Sequence, residues 1–211
     1  MESALRAGSD DPALRLIETA LWDGAACPRI EGHLARLTRS AARLGWPCDA
    51  QAARLALAGP AGQPARLRLT LDRQGGLEVT QAALPASRPE WRLALAPTRL
   101  DAADPWLSVK STRRAIYDDA RAALPDGIEE LLFLNQRGEV CDGTITSVFF
   151  DRGQGMRTPP LSSGLLPGVL RAELIAQGRC HEEVLLAADL PQVRLWVGNA
   201  LRGLMPAIWL G

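Results

Sequence analysis

The sequence predicts an α/β (α+β) protein of two lobes, residues 1–103 and 104–211. Three observations lead there. Segments of helical and of strand period alternate along the chain. The stretch APTRLDAADPW (96–106), rich in Pro, Asp and Ala, reads as the linker that divides them. The length of 211 residues suits one large domain or two small ones sharing a core.

RLIETALW (15–22) mixes β-branched and aromatic residues and reads as a strand. EGHLARLTRSAARLGW (31–46) sets Leu34, Leu37, Ala41 and Leu44 on one stripe at helical period, with arginines opposite. Gly45 and Pro47 stop that helix, and DAQAARLALAG (49–59) reads as a second, shorter one. ARLRLTLD (65–72) alternates at period two; Gly75-Gly76 turns it into LEVTQAAL (77–84), a hairpin. WRLALAP (91–97) is a third strand.

Beyond the linker, Ser111 is placed to cap a helix that turns Ile116, Ala120 and Leu124 inward. EELLFLN (129–135) is a buried strand, QRG (136–138) a turn, and EVCDGTITSVFFD (139–151) a strand pairing back across it. LPGVLRAELIAQG (166–178) has Pro then Gly at a helix start and Gly178 at its end. VRLWVGNALRGLMPAIWL (193–210) reads as two strands around a tight turn at Gly198-Asn199.

Composition narrows the function classes. With 24 acidic and 24 basic residues the formal net charge is zero, so no general attraction draws the chain to nucleic acid or anionic membrane. No apolar run nears the roughly 20 residues that cross a bilayer, and MESALRAGSDDPALR lacks the apolar core of a signal peptide. Cys27, Cys48, Cys141 and Cys180 are far apart, as expected of thiols in a reducing cytoplasm. His33 and His181 stand apart from each other and from carboxylate pairs, so no metal site is expected.

Among the 24 Lys and Arg, Lys110 is the only lysine. Arginine stays charged, whereas a desolvated lysine can lose its proton and act as a nucleophile. Lys110 therefore reads either as a solvated helix-end cation or as that nucleophile. Three loops accompany it. The N–H groups opening GVLRAEL (168–174) suit an anion. Asp142, in Cys141-Asp142-Gly143, is either a turn cap or an acceptor aimed into a cleft. GNALRG (198–203) offers further amides. A lone amine, a buried carboxylate and phosphate-cradling amides are the needs of pyridoxal phosphate.

Six segments in order, ETALWDG, HLARLTRSAARLG, VKSTRRAIYDDAR, GEVCDGTITSVFF, TPPLSSGLLPGVLRAEL and VGNALRGLMPA, carry a resemblance across Leu16 to Leu210. The chain resembles the class IV aminotransferases, the fold-type IV pyridoxal-phosphate enzymes. They include branched-chain and D-amino-acid aminotransferases and 4-amino-4-deoxychorismate lyase. The resemblance implies an N-terminal α/β sandwich-like lobe, a C-terminal mixed-sheet lobe and the cofactor in the cleft between them. It also implies a homodimer acting on a small molecule in the cytoplasm.

Carried over by residue, the resemblance makes Lys110 the Schiff-base lysine and proton shuttle, and Arg36 the phosphate-binding arginine. It sets the amides of Val169 and Leu170, and the turn Asn199-Ala200, on the phosphate. Asp142 falls where relatives carry Glu opposite the pyridine nitrogen; Asp is shorter by one methylene, about 1.5 Å of reach. Other departures are Leu170 for Thr, Ser147 for Asn, and Ala115 for the aminotransferases' Tyr. Tyr117, two residues on, is expected to point elsewhere on its helix.

The missing tyrosine and the segments LIETALWDG and NALRGLMPA tilt the resemblance toward the lyase, which releases pyruvate and 4-aminobenzoate in folate synthesis. Its substrate has two carboxylates. Arg68 and Arg73 are candidates to bind them, with solvated sheet-face arginines as the alternative, and Thr19 is a candidate near the leaving group. Arg113, Arg114 and Arg202 read as structural or dimer-interface charges. The other readings are a branched-chain or D-amino-acid aminotransferase and a non-catalytic or repurposed cofactor-binding paralogue.

Overall fold

Alternation along LIETALW builds the first strand, β1 (Leu16–Trp22), in a computed structural model that describes Leu5 and residues 8–211. β1 pairs antiparallel with β2 (Ala65–Leu71), and β2 with β3 (Leu77–Ala82), a three-stranded sheet. Leu16, Glu18 and Ala20 stand opposite Leu71, Leu69 and Leu67, all buried. Because side chains alternate at period two, Thr19 and Arg68, also opposite one another, take the other face.

Helix α1 (Ile30–Leu44) buries the expected stripe of Leu34, Leu37, Ala41 and Leu44. It ends at Gly45, whose left-handed φ of 73° lets its N–H reach the carbonyls of Ala41 and Ala42. Asp49 caps α2 (Ala50–Ala56) by accepting from the N–H groups of Gln51 and Ala52.

The expected single boundary after residue 103 does not describe how the chain divides. One unit is Met1–Ala86 with Val109–Arg113; the other is Ser87–Ser108 with Arg114–Gly211. The reason is hydrogen bonding. β4 (Trp91–Leu100) includes much of the expected linker, and it lies between β5 (Glu130–Asn135) and β11 (Gly203–Trp209), parallel to both. Residues 110–112 instead extend the first unit: the Ile17 N–H donates to the Lys110 carbonyl (2.9 Å), and the Thr112 N–H to that of Arg15 (2.9 Å). Ser111 bridges to Leu16, so it does not cap the next helix. Helix α3 (Ala115–Ala122) starts after Arg114 with no side-chain cap, though Ile116, Ala120 and Leu124 do pack inward.

The second unit's sheet has eight strands, ordered β6-β5-β4-β11-β10-β7-β8-β9. They are completed by β6 (Val140–Gly143), β7 (Ser147–Asp151), β8 (Met156–Thr158), β9 (His181–Glu182) and β10 (Arg194–Asn199). Beyond β9 the chain meets the opposite edge: the Val140 N–H donates to the Leu185 carbonyl (2.8 Å), which curls the sheet. Period-two alternation sorts the core. Leu132, Leu134, Val148, Phe150, Leu195 and Val197 form one cluster. Leu131 and Phe133 face the other way beside α3, and Phe149 packs on α4 (Val169–Ala176).

Two turns differ from the sequence expectation. The stretch 139–151 is two strands, because buried Glu130 captures the bend between them. Its carboxylate accepts from the hydroxyls of Thr144 and Thr146 and from the N–H groups of Thr144 (3.0 Å) and Ile145 (3.3 Å). The last turn falls at Ala200–Arg202, since Asn199 still pairs with Gly203. A Cβ at Gly143 would stand 2.5 Å from Thr146 Oγ1 and 2.8 Å from the Glu130 carboxyl carbon. Gly143→Ala is therefore expected to destabilise the protein by about 1–3 kcal/mol, read as a lower urea midpoint. Among the described residues no helix is long and apolar enough to cross a membrane.

Candidate active site

The chemistry-bearing residues form a group in each unit. In the first, Lys110 sits half-buried on the segment stitched to β1, one residue before buried Ser111. Next to that pairing, β1 carries Glu18, 1 % exposed, on its core face. Arg36 reaches it from α1 with two N–H donors, Nε at 2.8 Å and Nη2 at 2.6 Å. His33 Nδ1 lies 2.6 Å from Glu18 Oε2.

Burial alone would raise the Glu18 pKa. The Arg36 charge and hydrogen bonds, with those of His33, outweigh it and lower the value to about 2. His33 Nε2 is buried without a partner among the described residues. A proton on Nδ1 lets the ring donate to the Glu18 carboxylate, which only accepts.

Arg36 is thus held by a carboxylate that the sequence reading missed. The signal was there: Glu18 lies in phase with Leu16 and Ala20 on the core face, and His33 and Arg36 are three apart on one helix face. On the sheet's other face Thr19 and Arg68 are directly paired, with Thr80 opposite Arg68 on β3. Arg73 is not with them. It lies exposed in the β2–β3 turn, five residues beyond Arg68 and on the order of 15 Å along the strand, with Asp10 3.9 Å away.

In the second unit, Asp142 is 6 % exposed on β6, and its Oδ2 accepts from the Leu166 N–H (3.3 Å). Leu166 leads through Gly168, which opens α4 without a side-chain cap, to buried Val169 and Leu170. The Leu170 side chain packs on Phe149, Leu174 and Cys180, while the backbone provides the helix end. Asn199 folds its own turn: its Oδ1 accepts from the N–H groups of Leu201 (3.1 Å) and Arg202 (2.9 Å), and its Nδ2 donates to the Ile145 carbonyl (3.2 Å). Ala200 is buried in that turn.

Glu139 immediately precedes β6. It binds Arg137, Asn135 and Ser163; the Arg137 hydrogen bonds lead in lowering its pKa to about 2. The neighbouring Cys141 thiol is pushed up to about 12 by burial and then by Asp142, so it is not a nucleophile. Tyr117, expected to point elsewhere, packs edge-on against Phe133 with ring centres 5.0 Å apart. Burial first, then the Asp142 charge, raises the pKa of its phenol.

The sequence pattern of the family described as amino-transferase class IV matches residues 15–208. The chain belongs to that family. Its members are pyridoxal-phosphate-dependent enzymes, and this fold is theirs. A protein of Schizosaccharomyces pombe, provisionally named an aminodeoxychorismate lyase, is 33 % identical over 179 residues, covering 80 % of this chain and 76 % of that one. A Mesorhizobium loti crystal structure, provisionally named an amino-acid aminotransferase, superposes with a TM-score of 0.87 at 44 % identity, covering 93 % of this chain and all of that one. A hypothetical aminotransferase from Mycobacterium tuberculosis, solved with pyridoxal phosphate bound, gives 0.78 at 27 % identity, covering 93 % and 81 %.

Within this class IV chain the residues suit the cofactor. A lysine flanked by buried residues, a buried carboxylate and an uncapped helix end meet its aldehyde, its ring nitrogen and its phosphate in chemical type.

Proposed function

We propose that this class IV chain is a pyridoxal-phosphate-dependent lyase that converts 4-amino-4-deoxychorismate to 4-aminobenzoate and pyruvate. The observation that carries the reading is Lys110, the chain's only lysine, held against the start of β1 within the family's matched span. The Schizosaccharomyces relative supports the lyase over other family reactions, as does Ala115 in place of a tyrosine.

Bound pyridoxal phosphate supplies an electron sink for charge that develops at the aminated carbon. In this reading the neutral Lys110 amine removes the proton there and later returns it where the product needs it. The Asp142 carboxylate keeps the ring nitrogen protonated by direct charge pairing. Arg36, braced by Glu18, the N–H groups of Val169 and Leu170, and the Asn199-Ala200 turn take the phosphate. Arg68, with Thr19 beside it, receives a substrate carboxylate, and Arg73 is the weaker candidate because its turn lies apart. Expulsion of enolpyruvate makes the product aromatic, a driving force that transamination lacks. A homodimer in the cytoplasm is the assembly and place proposed.

The Mesorhizobium structure favours a second reading, transfer of an amino group between amino and keto acids. The two separate cleanly. With the cofactor added, pyruvate from aminodeoxychorismate, measured by coupling to lactate dehydrogenase, is expected without any keto acid present. A strict need for 2-oxoglutarate would overturn the lyase.

A further inference from the structure

The second unit holds five buried hydroxyl side chains among its described residues: Thr144, Thr146, Ser147, Thr158 and Ser163. Four are spent on protein acceptors. Thr144 and Thr146 donate to Glu130, Thr158 to the Val148 carbonyl (2.8 Å) and Ser163 to Glu139 (2.9 Å). Ser147, 7 % exposed, makes no side-chain hydrogen bond among the described residues. A hydroxyl without a protein acceptor is free to donate to something else.

Its position says what that is. A Cβ built on Gly168 would lie 2.6 Å from Ser147 Oγ, so the hydroxyl occupies the space beside the residue that opens α4. Among the described residues no side chain caps that end of the helix, where N–H groups and the helix dipole favour an anion. The first turn, Val169-Leu170-Arg171, brings no hydroxyl of its own, and Leu170 is committed to the core. Ser147 pairs with Gly198 on β10, next to Asn199-Ala200, and the two phosphate-facing candidates of this unit flank it.

We infer that the Ser147 hydroxyl, at the uncapped start of α4, is a ligand of the cofactor's phosphate monoester. The inference rests on the cofactor reading above and adds a contact to it. Gly168 is then glycine for two reasons: a side chain there would strike the hydroxyl and fill the room an oxyanion needs.

Absorbance titration of the cofactor-free protein tests it, using pyridoxal phosphate and, in parallel, pyridoxal, which lacks the phosphate. Ser147→Ala is expected to weaken pyridoxal phosphate binding by at least about tenfold, the scale of a hydrogen bond to a charged group. Pyridoxal binding should stay unchanged, and inorganic phosphate should compete less well in the variant. If Ser147→Ala does not fold, Ser147→Cys, nearly isosteric but a far weaker donor, carries the same comparison. Equal affinities of variant and wild type for pyridoxal phosphate overturn the inference, as does an equal loss for both ligands. A wild-type protein that binds neither ligand instead overturns the cofactor reading itself.

Discussion

Lys110→Ala protein mixed with pyridoxal phosphate is expected to show no protein-bound visible band, and its turnover to fall by at least about 10⁴-fold. The size follows from the two tasks one nitrogen is given: the covalent link to the cofactor aldehyde and the proton transfer at the aminated carbon. No other lysine exists in the chain to take them over. Lys110→Arg should fail as completely, because a guanidinium remains protonated and is no nucleophile. Folding should be nearly unaffected, since the Ile17 N–H bonds to the residue-110 carbonyl whatever the side chain is. A Lys110→Ala enzyme that keeps its band and its pyruvate release would remove the basis of the functional reading.

The second large effect is structural. Glu18→Gln should cost about 3–5 kcal/mol of stability, because it leaves the buried Arg36 charge uncompensated beside His33. Replacing both charged partners, as in Glu18→Leu with Arg36→Met, should recover part of that, since a buried pair exchanged for packed apolar groups is often near neutral while His33 Nδ1 loses its acceptor. Cofactor affinity should not recover with it. Urea unfolding and cofactor titration on the three proteins check both statements. A double variant with full affinity would remove Arg36 from the phosphate site.

The same carboxylate sets a pH dependence. Its folded-state pKa is lowered, so its stabilisation is complete above the ordinary carboxylate value of 4.5 and lost as pH falls toward about 2. Wild-type unfolding should steepen across that window, and Glu18→Gln should flatten it.

The stripe Leu34, Leu37, Ala41 and Leu44 and the period-two strand at 65–71 were legible because each needs only its own repeat. What the sequence hid were partners distant in the chain. The carboxylate of Glu18 meets His33 and Arg36 fifteen and eighteen residues later. Glu130 is a glutamate in an apolar strand until Thr144 and Thr146 fold onto it and split one expected strand in two. A linker read from Pro, Asp and Ala became half strand because β4 had neighbours on both sides.

Composition and order alone determined the family, the single amine and its loops, because those are properties of residue type and local spacing. Only the tertiary structure decided that residues 109–113 belong with the first unit, that Arg36 rests on Glu18, and that Ser147 stands at the head of α4. Hydrogen bonds between residues remote in sequence depend on where the backbone brings their donors and acceptors. No local pattern encodes that distance.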